Sequence, residues 1–449
     1  MPCPRLPLPS GRGPAASPAP AVRRGGFFTL SRALTGRIAL RGIAALGFAL
    51  LCAPVAFSAP LPPPAPMLAP VVAPILPGAR LDPIAFSAIA GWDADTAAAA
   101  FPPFLSSCGA LAKTPAEVGP SSNAALVPGL RQACANARAL VRALGNSPPS
   151  DRVARLFFAA NFRAYRIVPE AQPNGFLTGY YEVEVDGSAV KTDAFSVPVY
   201  ARPPDLIPTA PPSESNRGGA QRRVGDALVP YHDRAAIEDG ALAGKGLEIV
   251  YLAHPVDLFF MQIQGSGRIR LTDGRVLRLN YDGHNGYPYL PVGRLLIQRG
   301  LVPREQMSMD RIRAYIEGDA AAGRALMREN RSFVFFKAVD LPPGAGPLGA
   351  QGVPLTTDRS IAIDRHIHAY GTPFFLAADL PLNGAGAPDV PLRRLMIAQD
   401  TGSAIVGPAR ADLYFGAGPV AGSISGGIRH PGTFTLLVPR FSPAPGARP

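Results

Sequence analysis

Leu395-Met396-Ile397-Ala398-Gln399-Asp400-Thr401-Gly402 is a run of strand length that ends on a carboxylate, a hydroxyl and a glycine. Two further segments between Gly352 and Leu437 are built the same way: Ser360-Ile361-Ala362-Ile363-Asp364 and Ala411-Asp412-Leu413-Tyr414-Phe415-Gly416. Short apolar runs punctuated by glycine argue strands. An aspartate in such a frame is costly to ionise, so its pKa rises and it can serve as a general acid near neutral pH. One strand-end aspartate ordinarily does no more than satisfy turn amides. Three of them, with His366 and Tyr414 nearby in the chain, point to a site.

Working outward, Leu341 to Gly352 is mostly glycine and proline and marks a boundary. Before it, the pattern is again of short strands: Ser196–Tyr200, Leu247–Tyr251, the run Leu258–Ile263 and Ser332–Phe336. Arg268–Leu271 and Arg275–Leu279 flank Thr272-Asp273-Gly274, a strong hairpin signal. Residues 203–224 read as a surface loop, and one or two helices follow from Ser308 to Glu329. Residues 84 to about 167 read as helical. The clearest helix there opens at the N-cap Ser150-Asp151 and sets Val153, Leu156, Phe157 and Ala160 on one face.

With 449 residues the chain has room for two or three domains, and 52 prolines, 47 glycines and only 17% charged residues favour loops and strands over long helices. Of the formal net charge of +12, seven units belong to arginines in residues 1–58, which hold no acid, leaving +5 for the rest. That balance suits an acidic polymer, and no nucleic-acid motif accompanies it. Arg37 and Arg41 precede an uncharged run, Gly42 to Phe57, and Ala56-Phe57-Ser58 resembles a secretory cleavage site. Arg23-Arg24 fits a twin-arginine signal poorly, and Leu51 before Cys52 argues against a lipobox. Pro-rich residues 59–83 read as a spacer. Export leaves Cys108 and Cys134 in an oxidising compartment, where two cysteines usually pair.

Several motifs invite chemistry. Phe176-Leu177-Thr178-Gly179-Tyr180-Tyr181 puts a hydroxyl and two aromatics on one strand, which suits a sugar groove as well as a buried aromatic strand. Gln262-Ile263-Gln264-Gly265-Ser266-Gly267, read as a strand, sets two glutamines on one face. It has no GK[ST] and precedes a hairpin rather than a helix, so it is not a phosphate loop. Tyr281 to Tyr289 forms a polar, aromatic loop. His366-Ile367-His368 has a spacing zinc can use, yet lacks a third ligand beyond Asp364, and a structural role is favoured. The hairpin arginines Arg268, Arg270, Arg275 and Arg278 read as a solvated basic face. A serine nucleophile has no G-x-S-x-G to support it.

Together these segments resemble the MltA family of membrane-bound lytic murein transglycosylases with its C-terminal three-aspartate domain. The resemblance runs from about Phe176 to Leu437 and is carried by the motifs above together with Met307-Ser308-Met309, Arg331–Lys337, Gly352–Leu355 and Asp358-Arg359. Leu290-Pro291 and Tyr315 depart from the family's usual residues.

The resemblance implies a mainly β fold: a double-psi β-barrel with an inserted smaller β-barrel domain, N-terminal helices, and a glycan groove between the domains. The expected boundaries are leader 1–58, spacer 59–83, helical part and first strand 84–182, insert 183–338 and three-aspartate domain 351–440. It also implies a lyase acting on polysaccharide, which cleaves the MurNAc–GlcNAc β-1,4 bond of peptidoglycan and leaves a 1,6-anhydroMurNAc end. Asp412 falls on the family's acid/base, with Asp400 and Asp364 in supporting roles. The expected glycan contacts are Thr178, Gly179, Tyr180, Gln262, Gln264, Ser266 and Tyr289. Neither metal nor cofactor is expected. Peptidoglycan strands are the expected partner, in the periplasm, and the spacer is compatible with outer-membrane attachment or a cell-wall complex. The alternatives are a polysaccharide hydrolase on the same barrel, with Asp400 as base for water, and a non-catalytic glycan-binding module.

Overall fold

A computed structural model of the chain describes residues 76–113, 124–209 and 219–440. The leader, Cys52 and most of the proline-rich segment lie outside the described residues. The end of the expected spacer is already folded: Leu76 is buried, and β1 (Ala79–Ile84) pairs antiparallel with β2 (Phe162–Pro169).

Between those two strands lie α1 (Phe101–Lys113), α2 (Val127–Ala143) and α3 (Asp151–Asn161). Ser150 caps α3 by accepting from the Val153 amide. The buried face of α3 is Ala154, Phe157, Phe158 and Asn161, whereas Leu156 is exposed, so the expected face is rotated by about one residue. The reason is a phenylalanine cluster: Phe101 of α1 packs edge-on against Phe157 and Phe158, and Phe104 packs edge-on against Phe158 and tilted against Phe157. The Cys108–Cys134 disulfide joins α1 to α2.

The long strand β3 (Gly175–Ser188) then serves two parts of the molecule. Its first half pairs with the C-terminal strands and its second half with the segment that follows. That segment contains β4 (Val197–Tyr200), a small three-stranded sheet of β5 (Ile207–Pro208), β6 (Ala220–Val224) and β7 (Ala227–Pro230), the single turn α4 (Arg234–Ala236) and β8 (Glu248–Leu252). The expected surface loop at 203–224 therefore includes strand.

The run Leu258–Ile263 is helical rather than extended, within α5 (Pro255–Gln264). Proline at the first helical position and Gly265 in the left-handed conformation (φ 81°) delimit it, an N-terminal and C-terminal punctuation that outweighs the apolar run. Next come β9 (Ser266–Leu271) and β10 (Val276–His284), antiparallel across the Asp273-Gly274 turn. The helices α6 (Val292–Gln298), α7 (Met309–Gly318) and α8 (Ala320–Glu329) lead to β11 (Val334–Ala338), and Ser308 and Asp319 cap α7 and α8. The hairpin arginines are paired rather than merely solvated. Arg268 and Arg278 both bind Glu182, whose side chain is 1% exposed, while Arg270 binds Asp186 and Arg275 binds Asp273.

The C-terminal part comprises β12 (Ser360–Ile363), β13 (Pro373–Leu380), β14 (Val390–Asp400), β15 (Arg410–Ala417), α9 (Gly418–Gly427) and β16 (Arg429–Pro439). Strand β3 pairs with β15 in parallel, β15 with β12, β12 with β14 in parallel, β14 with β13, β13 with β16, and β16 again with β3. The pairing thus returns on itself through six strands. Leu177, Ile361, Leu395, Ile397, Ala411, Leu413 and Leu436 belong to one core shared with the N-terminal helices, and a second core lies among β4, β8, β9, β10 and β11. The whole is a sheet-dominant mixed fold. No helix among the described residues is long and apolar enough to cross a membrane.

Candidate active site

Parallel pairing of β3 with β15 sets Phe176 opposite Arg410, Thr178 opposite Asp412 and Tyr180 opposite Tyr414. Side chains alternate between faces along a strand, so these six share one face. The intervening Leu177, Ala411 and Leu413 are fully buried on the other. Gly179 lies on that second face as well, where a Cβ would meet Ser425 Cα at 2.7 Å. Its missing side chain lets α9 pack against the strand.

Two of the three aspartates meet on the polar face. The Thr178 hydroxyl donates to Asp412 Oδ1 at 2.5 Å. Asp400, the last residue of β14, accepts from the Tyr180 hydroxyl at 2.9 Å on Oδ2 and from the Ala350 and Thr401 amides, both at 2.9 Å, on Oδ1. Beneath them Tyr180, Tyr414, Leu355, Ala362 and Ile405 form a separate apolar cluster. This cluster is why both carboxyls are hard to ionise although solvent reaches each from one side.

Burial raises the Asp412 carboxyl above the usual carboxylate range, against the pull of the Arg410 guanidinium and the Thr178 hydroxyl. The rise comes from burial, the source that an aspartate in an apolar strand frame implies. Burial also pushes Asp400 up to about 6, opposed by its amide and hydroxyl partners and reinforced by the charge of Asp412. Tyr180 is raised well above its ordinary value by burial and by Asp400, so its hydroxyl remains a donor.

The third aspartate is engaged elsewhere. Asp364 follows β12, and its oxygens accept the amides of His366 and Gly407. It shapes the turn that carries His366 and His368. His368 is buried with Nε2 on the Pro408 carbonyl, and burial lowers it to about 4, leaving a neutral imidazole. Among the described residues no group of His, Cys, Asp and Glu could hold a metal ion. The neighbouring Arg359 is structural, forked onto buried Asp95 and onto Thr96.

The remaining expected contacts are more scattered. Gln264 reaches the site strand by accepting from the Tyr181 amide. Gln262 instead donates to the Val334 carbonyl, and buried Ser266 pairs with Asn280 across the hairpin. Tyr289 is pushed up to about 12 by burial, against the pull of Arg234, a residue held by the Asn330 and Ser332 carbonyls. The reading as a strand placed both glutamines on one face; the helix separates them. Arg410 is the site residue that sequence reasoning missed, and period-2 alternation two residues before Asp412 was the available signal.

Residues 176–337 match the family described as the MltA specific insert domain, and residues 359–438 match the 3D domain. The chain is 37% identical over 290 residues, 62% of its length and 70% of the relative's, to a Vibrio cholerae protein named membrane-bound lytic murein transglycosylase A. A crystal structure of a membrane-bound lytic murein transglycosylase from Agrobacterium tumefaciens is similar at TM-score 0.70 and 34% identity, covering 80% of this chain and 98% of that one. Escherichia coli MltA with bound chitohexaose is similar at TM-score 0.55 and 28% identity, covering 81% and 92%. The chain belongs to the MltA family.

Proposed function

We propose that this protein is a lytic transglycosylase that cleaves the MurNAc–GlcNAc β-1,4 bond of peptidoglycan and leaves a 1,6-anhydroMurNAc end. The chitohexaose held by the E. coli relative, a chain of β-1,4-linked sugars, supports a glycan of that linkage as the ligand.

The observation that carries the chemistry is the unequal occupation of the two carboxylates. Asp400 has both oxygens engaged by three donors, which take up most of its acceptor capacity. Asp412 has one oxygen bound to Thr178 and, among the described residues, none on the other. One free oxygen on a carboxyl whose proton burial holds more tightly than usual suits a lone acid/base. Asp412 Oδ2 gives its proton to the glycosidic oxygen as positive charge develops at C1. The resulting carboxylate then takes the proton of the same sugar's C6 hydroxyl, whose oxygen attacks C1. An internal nucleophile already in place avoids the entropic cost of recruiting water. Asp400, fixed by its donors, stabilises charge at C1 rather than activating water. In this reading the six-strand ring is a double-psi barrel of residues 351–440 closed by β3, with residues 183–338 inserted. Residues 1–58 are an export leader, and the enzyme acts in the periplasm.

Mass spectrometry of soluble products after the purified protein digests sacculi tests this. Muropeptides carrying 1,6-anhydroMurNAc are expected. Reducing-end products would replace the proposal with a hydrolase, and binding without release would replace it with a glycan-binding module.

A further inference from the structure

We propose that Arg410 is a positioning residue for Asp412 that acts through Thr178. Its Nη2 donates to Thr178 Oγ1 at 2.8 Å, Nη1 donates to the Ala411 carbonyl, and the guanidinium lies over the Phe176 ring at 5.4 Å from its centroid. A hydroxyl oxygen that accepts from a cation cannot turn its hydrogen toward it. The hydrogen is therefore directed to Asp412 Oδ1, 2.5 Å away. This fixes Oδ1 as a permanent acceptor and leaves Oδ2 as the oxygen that gives and recovers the proton.

The residue type matters. Two nitrogens of one rigid fork serve two acceptors while the plane rests on an aromatic face; a lysine supplies the charge but not that geometry. When Oδ2 has given up its proton, the Thr178 hydrogen bond and the Arg410 charge stabilise the carboxylate. The groups facing Asp412 are Thr178 and Tyr180 from β3, Ala362 from β12, Asp400 at the end of β14, and Arg410 and Tyr414 from its own strand. Asp400 is the other carboxyl that titrates among them, so both must be followed.

The catalytic consequence rests on the acid/base reading of Asp412, while the hydroxyl's orientation does not. The test therefore has two readouts on the full chain: wild type, Arg410→Met, Arg410→Lys, Thr178→Val and the Arg410→Met/Thr178→Val double variant. The first is the carboxyl-carbon NMR titration of aspartate-labelled protein, with the Asp412 and Asp400 signals identified by their loss in Asp412→Asn and Asp400→Asn. The second is kcat and KM for anhydro-muropeptide release as a function of pH. In Arg410→Met the Asp412 titration moves to higher pH and the alkaline limb of kcat/KM follows it, with kcat reduced about ten- to hundredfold and KM within about twofold. Arg410→Lys titrates near wild type yet loses kcat. In the Thr178→Val background Arg410→Met still raises the Asp412 titration, because its charge acts directly, but costs kcat no more than about a further twofold. An unchanged Asp412 titration in Arg410→Met, or a loss that adds fully to that of Thr178→Val, overturns the proposal. A wild type that yields no anhydro product sinks the functional reading, and the titration still decides this one. If Arg410→Met does not fold, Arg410→Lys and Thr178→Val carry the test.

Discussion

Replacing Asp400 by asparagine should make the protein more stable at neutral pH, and only there. The side chain keeps its shape. Its oxygen still accepts the Ala350 and Thr401 amides, and its amide group can donate to the Tyr180 hydroxyl, which rotates to accept. What disappears is the cost of ionising a carboxyl over an apolar floor. The folded-state pKa is raised from 3.8 to about 6, chiefly by burial. A raised value favours the folded state below the unfolded pKa, and that advantage is lost as pH rises through the folded pKa. At about 1.4 kcal/mol per pH unit the difference is about 3 kcal/mol above pH 7. Asp400 is half-buried, and discounting for the water that reaches it leaves about 2 kcal/mol. Urea denaturation at about pH 7.5 and again near pH 4 measures it. The expected result is a gain of about 2 kcal/mol at the higher pH that shrinks below about 0.5 at the lower. A variant less stable at pH 7.5, or an equal difference at both, would refute the claim that this carboxylate is held in a strained ionisation state for the sake of the site.

Three further outcomes are expected. Asp412→Asn should lower anhydro-product release by at least about a thousandfold, while its urea midpoint stays at or above that of wild type, because the lost group was costly to ionise. Glu182→Gln leaves Arg268 and Arg278 around a neutral group and should cost about 3–5 kcal/mol of stability; a loss below about 1 kcal/mol in urea denaturation would contradict it. Removing the Cys108–Cys134 link, which spans 26 residues, by a double alanine variant should cost about 3 kcal/mol on the same measure, and an unchanged midpoint would count against it.

The sequence was most legible where structure is local. The Asp273-Gly274 turn dictates a hairpin, Ser150 and Ser308 start helices because their hydroxyls take orphan amides, and the spaced apolar runs announce strands. Alternation along Phe176–Tyr181 and Arg410–Tyr414 already determines which residues of each strand share a face. Local signals also misled when weighed wrongly: the apolar run in α5 masked its proline and glycine punctuation. Only the tertiary structure decided that β3 and β15, more than two hundred residues apart, lie side by side in parallel, so that Thr178 meets Asp412 and Tyr180 reaches Asp400. It alone separated Asp364, spent on turn amides, from the two aspartates that share a floor, although all three look alike in the chain. The physical reason is that a carboxyl's chemistry depends on what desolvates it and on which of its oxygens are already bound. Those neighbours come from strand pairing across the fold, while the residue types along each strand come from the sequence.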